Sequence, residues 1–241
     1  SALVKTGTGA LILSNSNTFS GPTTVLSGTL GLQQDGSLGT PPAVATPGYL
    51  TVNGGATLQF RANYNMPAVR GLAIGPTSGS GSITIDTIPG YSGSIAGIIA
   101  DNGAGSGGIV KTGYNNGFNV SGANTYTGGT IVREGIFTFS GATSIPASGQ
   151  IRVESGGCLA LSDVGATQAN FLNKFDKANS NGVIGFSAGS VLASFDFTGF
   201  HADARIGGGA TMNGTITPQG DTYRFGGGYG STLQVNTALT D

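Results

Sequence analysis

Short segments of alternating apolar and polar residues recur along the chain, and each contains a glycine turn. The segments at residues 25–32 (VLSGTLGL) and 132–139 (VREGIFTF) show the pattern most clearly. Leu30 and Leu32 fall on one side of an extended chain and Gly31 on the other, which is the period of two of a half-buried strand. Glycine suits the corners, because a positive φ costs any residue with a Cβ roughly 1 kcal/mol or more. The pattern predicts strands of about three to six residues joined by tight turns.

These strand units return at a period of about 20 to 27 residues, as the distances from Val25 to Val52 and from Val132 to Val153 indicate. Longer forms of the unit occupy residues 52–60 and 153–161, and looser ones occur at 83–85, 191–197 and 232–235. A unit this short cannot bury its apolar face alone and is stabilised by stacking on its neighbours. We therefore predict an all-β parallel β-solenoid of roughly nine or ten coils and about 45 Å in length.

One stretch, residues 162–179, departs from the strand pattern and lacks glycine after Gly165. Its apolar residues recur at helical spacing, and Ser162 or Asp163 is placed to cap the first turn. The pattern predicts a short helical excursion near 164–178 that packs against the solenoid. The residues expected on its buried face are Val164, Gln168, Phe171, Leu172 and Phe175.

A longer self-similarity relates residues 3–32 to residues 109–139. The tetrapeptide Val-Lys-Thr-Gly occurs at 4–7 and again at 110–113, and Asn-Thr-aromatic-x-Gly occurs at 17–21 and 124–128. Extended over the adjacent strand units, the two copies cover 3–60 and 109–161, with divergent coils at 183–235. We expect one β-solenoid segment over residues 1–241, cut from a longer repeat-containing chain.

These two copies resemble the autotransporter-associated β-strand repeat of bacterial autotransporter passenger regions and related large surface proteins. The features that carry the resemblance are the Lys-x-Gly start, the Asn-Thr-Tyr-x-Gly-Gly-Thr centre at 124–130 and the Gly-x-Leu end at 28–32. The first copy departs from the centre with Phe19 and Pro22, and the second carries Asn115 and Asn116 in its first loop. The resemblance implies a right-handed parallel β-helix, exported to the cell surface or the medium, that acts as a stalk, adhesin or filament component. It carries no catalytic residues.

Composition and charge narrow the function further. Glycine accounts for 45 of 241 residues, and charged residues make up only 9% of the chain against roughly 25% in ordinary globular domains. A net charge of −1 leaves no basic surface for a nucleic acid or an anionic membrane. No apolar run approaches the roughly 18 residues that a membrane-spanning helix needs, so we expect no insertion of this segment into a membrane.

Two enzyme signatures appear in the sequence but lack the context that their chemistry needs. Residues 103–108 have the glycine spacing of a dinucleotide-binding loop, yet a strand-like segment follows where a helix is required. Ser187 lies in a Gly-x-Ser-x-Gly sequence, and Asp196 and His201 follow in the order of a catalytic triad. The segment after Ser187 nevertheless alternates like a strand. Asp196 and Asp203 are the two carboxylates that a glycan-processing β-helix enzyme would use.

The remaining candidate chemistry is sparse, and we predict no catalytic, cofactor or metal site. Cys158 is the only cysteine and His201 the only histidine, too few for a zinc site. Tyrosines in glycine-rich turns are the candidates for surface contact: Tyr91, Tyr114, Tyr126, Tyr223 and Tyr229.

Taken together, these features favour a non-enzymatic structural or adhesive segment of an extracellular or cell-surface bacterial protein. The partners expected for it are neighbouring repeats or further copies of the same chain, with a surface glycan or a protein as ligand. The alternative is a glycan-processing β-helix enzyme, a polysaccharide hydrolase or lyase.

Overall fold

The computed structural model describes residues 1–114, 117–162, 171–186, 191–192, 194–227 and 232–240. Within these ranges the chain forms short strands and three 3₁₀ helices, at Asp35–Leu38, Ala142–Ser144 and Lys177–Asn179. The strands are β1 Leu3–Lys5, β2 Ala10–Leu13, β3 Thr23–Val25, β4 Thr29–Leu32, β5 Thr46–Val52, β6 Thr57–Phe60, β7 Tyr64–Met66, β8 Arg70–Ile74, β9 Ser80–Thr87, β10 Gly93–Ile95, β11 Ile99–Asp101, β12 Ser106–Thr112, β13 Gly117–Val120, β14 Thr130–Phe139, β15 Ile151–Leu161, β16 Val183–Phe186, β17 Val191–Leu192, β18 Phe195–Asp196, β19 Arg205–Gly208, β20 Thr211–Met212, β21 Ile216–Thr217 and β22 Gln234–Val235.

The strands stack in parallel into long ladders that run along the molecule. The main sheet follows the order β2-β4-β6-β9-β12-β14-β15-β16-β19, and β7, β10 and β13 join it on an adjacent face. A second sheet follows the order β1-β3-β5-β8-β11, while β17-β20-β22 and β18-β21 continue the stack near the C-terminus. Neighbours in each ladder come from successive coils, so the fold is the predicted parallel β-solenoid, with about ten turns. Val25 pairs with Val52 and Val132 with Val153, which confirms the alignment of the repeats.

The core consists of aligned rows of apolar side chains, one from each coil. Leu30, Leu58 and Ile85 occupy equivalent positions in successive rungs and are fully buried. Aromatic rings also pack together in the core, where the centroids of Phe60 on β6 and Phe118 on β13 are 4.8 Å apart. Burial of such side chains contributes roughly 1.5 to 3 kcal/mol each, which no single coil could obtain alone.

A row of hydrogen-bonded polar groups faces outward along the same ladder. Gln59 Nε2 donates to Asp86 Oδ2 at 2.8 Å, and Thr112 Oγ1 donates to Asp86 Oδ1 at 2.8 Å. These residues belong to three successive coils. The outer face is therefore linked from coil to coil by side chains as well as by the backbone.

Glycine is required at a corner where two coils approach closely. Gly28 adopts φ +72°, and a Cβ at this position would lie 2.4 Å from the carbonyl oxygen of Gly7 in the preceding coil. A larger residue would meet both backbone strain and a steric clash there. The period of the repeat thus depends on glycine at its turn.

The predicted helical excursion is shorter than expected at its C-terminal end. Residues 164–170 lie outside the described residues, and in the part that is described the helix ends at residue 172. Beyond it, Ile151 N donates to Lys174 O at 2.8 Å and Asp176 N to Ile151 O at 2.8 Å. The chain has returned to the solenoid ladder, so backbone pairing with the preceding coil replaces the helix in residues 174–176, before the 3₁₀ helix at Lys177–Asn179. Phe171 and Phe175 are buried, as predicted.

In the described ranges, none of the helical segments has both the length and the apolar character needed to span a bilayer.

Candidate functional site

The lysine of the Lys-x-Gly motif stabilises the turn that follows it through hydrogen bonds. Lys5 is buried, and its Nζ donates hydrogen bonds to the carbonyl oxygens of Thr6 at 2.8 Å, Gly7 at 2.7 Å and Ser27 at 3.0 Å. Ser27 belongs to the next coil. One ammonium group therefore satisfies carbonyls that the turn leaves without backbone partners, and it ties two coils together.

Lys111 takes the same position in the second copy and lies deeper. Its Nζ donates to the carbonyl oxygens of Thr112 and Gly113 and, at 2.9 Å, to Thr87 Oγ1. Burial lowers the pKa of Lys111 to about 8, against the opposing attraction of the carboxylates of Asp86 and Glu134. The motif lysine is a structural element of the core in both copies.

The motif asparagines also join coils. Asn17 Nδ2 donates to Ser37 O and Asn124 Nδ2 donates to Ser144 O, both at 2.8 Å and both twenty residues along the chain. Each acceptor serine lies in a 3₁₀ helix. Asn124 Oδ1 also accepts a hydrogen bond from Ile99 N at 2.9 Å, so its side chain links three coils. The residues that define the repeat therefore build the scaffold.

The candidate tyrosines fall into different environments. Tyr91 and Tyr114 are exposed, at 39% and 65%. Tyr126 was expected at the surface, but its ring is fully buried and its hydroxyl lies 2.6 Å from Thr130 Oγ1. Burial raises the pKa of Tyr126. The turn directs this ring into the core, so Tyr126 is unavailable to a partner.

The two C-terminal tyrosines, Tyr223 and Tyr229, provide less support for a contact surface. Tyr223 is half-buried, its hydroxyl donates to Thr240 O at 2.6 Å, and its ring lies parallel to that of Phe225 at 6.2 Å. A cavity of about 490 Å³ adjoins Tyr223 and residues 215–221. Tyr229 lies outside the described residues.

A groove of about 480 Å³ lies on the face formed by β7, β10 and β13. The Cα register of these strands aligns Asn65 with Ser94 and Ser94 with Asn119, so three neighbouring coils contribute equivalent outward side chains. The residues that line it are Asn63, Tyr64, Asn65, Ser92, Gly93, Ser94, Gly117, Phe118, Asn119 and Thr138. Asparagine, serine and threonine side chains make up most of this lining.

Close aromatic packing gives this groove a firm wall. The rings of Tyr64 and Phe60 stack at 4.9 Å, and a Cβ at Gly93 would lie 2.4 Å from the Phe60 ring. Glycine at position 93 therefore leaves room for Phe60 beneath the groove. Tyr91 and Tyr114 are exposed and lie in the segments that precede β10 and β13, two strands of the groove that pair with each other.

The sequence did not indicate this groove, because its residues come from coils of unequal length. Asn65 and Ser94 are 29 residues apart, whereas Ser94 and Asn119 are 25 apart. Only the register of the strands brings them together. The presence of Tyr91 and Tyr114 in the turns was the one signal available beforehand.

Of the three residues considered for a catalytic triad, the structure describes Asp196 and His201. Ser187 lies outside the described residues. Asp196 is exposed and accepts a hydrogen bond from Thr198 N at 2.8 Å. Hydrogen bonds from Thr198 and the charge of Lys177 lower the pKa of Asp196, which favours the carboxylate over the protonated form that a general acid needs.

The partners of Asp203 differ from those of Asp196. Its carboxylate lies 3.6 Å from His201 Nδ1, the same nitrogen that accepts a hydrogen bond from Asp203 N. Cys158 is buried, and burial raises its pKa to about 12, which holds the thiol in its neutral, weakly nucleophilic form. Among the described residues, no group of three or more His, Cys, Asp and Glu side chains could hold a metal ion.

The dinucleotide-like spacing at residues 103–108 belongs to a different structure. Ser106–Thr112 is a strand, β12, paired with β9 and β14, so no helix N-terminus follows the glycines. Asp101 accepts a hydrogen bond from Gly107 N at 2.7 Å and fixes the turn. The segment is a corner of the solenoid, as its strand-like continuation indicated.

Comparison with known proteins identifies the repeat. The family model described as passenger-associated-transport-repeat matches residues 3–32 and 118–138. The first match spans β1 to β4, and the second begins in β13 and ends within β14. Neither the curated proteins nor the solved structures include a significant match. The chain is thus a parallel β-solenoid in which two segments match the passenger-associated-transport-repeat model.

Proposed function

We propose that this chain is a non-catalytic stalk segment of an exported autotransporter-like protein, exposed at the bacterial surface or released from it, and that it forms part of a longer passenger. The observation that carries the proposal is the parallel stacking of coils from residue 3 to residue 235. A column in which every rung is hydrogen-bonded to the next resists bending and holds distant sites at a fixed separation.

The long excursion between β4 and β5 is fixed to the column rather than loose. Arg70 is fully buried, its Nε lies 2.7 Å from Asp35 Oδ1, and its guanidinium donates to the carbonyl oxygens of Leu38 and Gly39. The guanidinium also lies 5.7 Å from the centre of the Tyr49 ring. A charged group this well paired is expensive to release, so the excursion adds to the stiffness of the rod.

The surface chemistry also supports a role in contact rather than in catalysis. Charges are few, and the outward rows are rich in Asn, Ser, Thr and Gln. We propose neighbouring repeats or further copies of this chain as partners, together with a ligand bound at the surface. The glycan-processing alternative has no specific support, because Asp196 and Asp203 are both exposed and have separate partners.

Surface labelling of the parent bacterium tests the proposed location and role. Antibodies raised against residues 1–241 should label intact cells or detect the protein in the culture medium. External protease should remove the cell-bound signal. Labelling only after the cells are made permeable would contradict the proposal.

A parallel assay tests the enzyme alternative. The purified chain should release no reducing sugar from a panel of polysaccharides. Release that is lost in Asp196→Asn or Asp203→Asn would replace the stalk with a glycan-processing enzyme.

A further inference from the structure

Of the described residues, those that line the groove on β7, β10 and β13 are all uncharged. Asparagine, serine and threonine supply most of its wall, and none of the ten lining side chains is ionisable at neutral pH. A sulfate, phosphate or carboxylate would lose water here without a cation to compensate it. The groove therefore suits a neutral ligand that has many hydrogen-bonding groups.

The polar side chains are held in position by their neighbours. Ser94 Oγ donates to Asn65 Oδ1 at 2.7 Å, and Ser140 Oγ donates to Asn119 Oδ1 at 2.6 Å. Both amides thus use their oxygen within the protein, and no hydrogen bond from either Nδ2 group is found among the described residues. These fixed donors cost little ordering entropy when a ligand accepts from them.

The groups repeat along the axis of the solenoid. Asn65, Ser94 and Asn119 lie in successive coils, which are about 4.8 Å apart. Equally spaced polar groups match a ligand that is itself a chain of similar units. The volume of about 480 Å³ lies within the roughly 300–1,000 Å³ of typical small-molecule sites.

Two tyrosines lie close to the strands of the groove along the chain. Tyr91 and Tyr114 are exposed and precede neighbouring rungs. A tyrosine ring offers an apolar face and a hydroxyl together, at a low cost in side-chain entropy. The apolar face of a pyranose ring packs on such a surface while its hydroxyls remain free to form hydrogen bonds.

An extended peptide fits this site less well. Peptides that bind to sheets usually add a strand at an open edge. Here β10 is paired with β7 on one side and with β13 on the other, so among the described strands a peptide could add a strand only beside β7, which pairs with β10 alone, and not over the face that forms the groove. Recognition must therefore come from side chains, as it does for sugars.

We propose that this groove binds a neutral oligosaccharide, with pyranose rings against Tyr91 and Tyr114 and with sugar hydroxyls bonded to Asn65, Ser94 and Asn119. The inference rests on the proposed function, since the groove must be exposed outside the cell to meet a glycan. The inference assigns a defined binding site and a class of ligand to the proposed stalk segment.

Isothermal titration calorimetry with defined oligosaccharides tests the site. The probes are cellohexaose, maltohexaose and chitohexaose as neutral chains, hexagalacturonate as an anionic chain, and a neutral Ser/Thr-rich decapeptide. At least one neutral hexaose should bind, and Ser94→Tyr, which fills the groove, should weaken binding at least tenfold. Thr24→Tyr is the matched control, because Thr24 faces outward on the other sheet, and it should leave the affinity unchanged.

A second variant distinguishes a loss of binding from a loss of folding. Tyr91→Ala combined with Tyr114→Ala changes only exposed rings, and it should weaken binding several-fold while the circular dichroism spectrum is retained. The proposal is overturned by the absence of neutral binding, by binding of only the anionic chain or the decapeptide, or by equal affinity in the groove variants and the control. Any of these results would leave the surface-labelling test of the stalk unaffected.

Discussion

At the scale of single residues, the buried lysine makes the stability of the fold depend on pH. The pKa of Lys111 is about 8 in the folded chain and 10.5 in the unfolded chain, because burial penalises the ammonium form. Between these pH values the unfolded chain binds more protons than the folded chain, so the free energy of unfolding rises with pH. The full gain is at most about 3 kcal/mol, as a pKa unit corresponds to 1.36 kcal/mol.

Lys111→Met removes the titrating group while it retains most of the side-chain volume. The free energy of unfolding of the natural chain, minus that of Lys111→Met, should therefore increase between pH 7 and pH 10, as measured by urea denaturation. Burial raises the pKa of Cys158 to about 12, so ionisation of this thiol in the unfolded chain lowers the free energy of unfolding above pH 9. This effect is the same in both proteins and cancels in the difference between them. A difference that is flat or falls with pH would show that Lys111 stays charged in the core.

At the scale of the element, one asparagine substitutes for backbone pairing at the end of the second sheet. Beyond β11, Asn124 accepts from Ile99 N and donates to Ser144 O, and its side chain is buried. Asn124→Ala leaves two buried backbone groups without partners, at roughly 1 to 3 kcal/mol each. We expect a loss of about 2 to 6 kcal/mol in the free energy of unfolding.

Asn17 provides the matched comparison, since it occupies the same position in the first copy. Its amide donates to Ser37 O but lies partly exposed, so water can replace the lost bond. Asn17→Ala should cost about 1 kcal/mol or less by the same denaturation measurement. Equal losses at the two positions would mean that the link from Asn124 to Ile99 contributes nothing.

Elements and their order were predictable from the sequence where the alternation was local. The inward direction of Leu30 and Leu32, the stacking of Val25 on Val52 and the strand after Gly108 all follow from a period of two and from glycine at the corners. The burial of Tyr126 and the return of residues 174–176 to the ladder depend on contacts with other coils. Coil lengths vary, so no single period aligns Asn65, Ser94 and Asn119. The groove could therefore not be predicted from the sequence.

At the scale of the whole molecule, the column presents an edge that the chain does not pair with itself. Of the described strands, β1 pairs only with β3 and β2 only with β4. Val4 and Ile12, on these two strands, are exposed. Free backbone donors and acceptors beside apolar side chains favour pairing with another strand. The far end of the stack, at β22, offers a parallel rung that can meet this edge head to tail.

Residues 1–241 should therefore associate as their concentration rises, which sedimentation velocity can detect as an increase in the average sedimentation coefficient. Lysine on an edge strand opposes such pairing, so the double variant Val4→Lys, Ile12→Lys should shift the distribution toward monomer. Val44→Lys places one lysine, half of the added charge, on an exposed loop away from the edge and should associate like the natural chain. A natural chain that stays monomeric at high concentration, or equal association in all variants, would mean that this edge is not a docking surface. In that case the coils at β1 and β2 are stable without a neighbour, and contact between copies plays no part in the function of the rod.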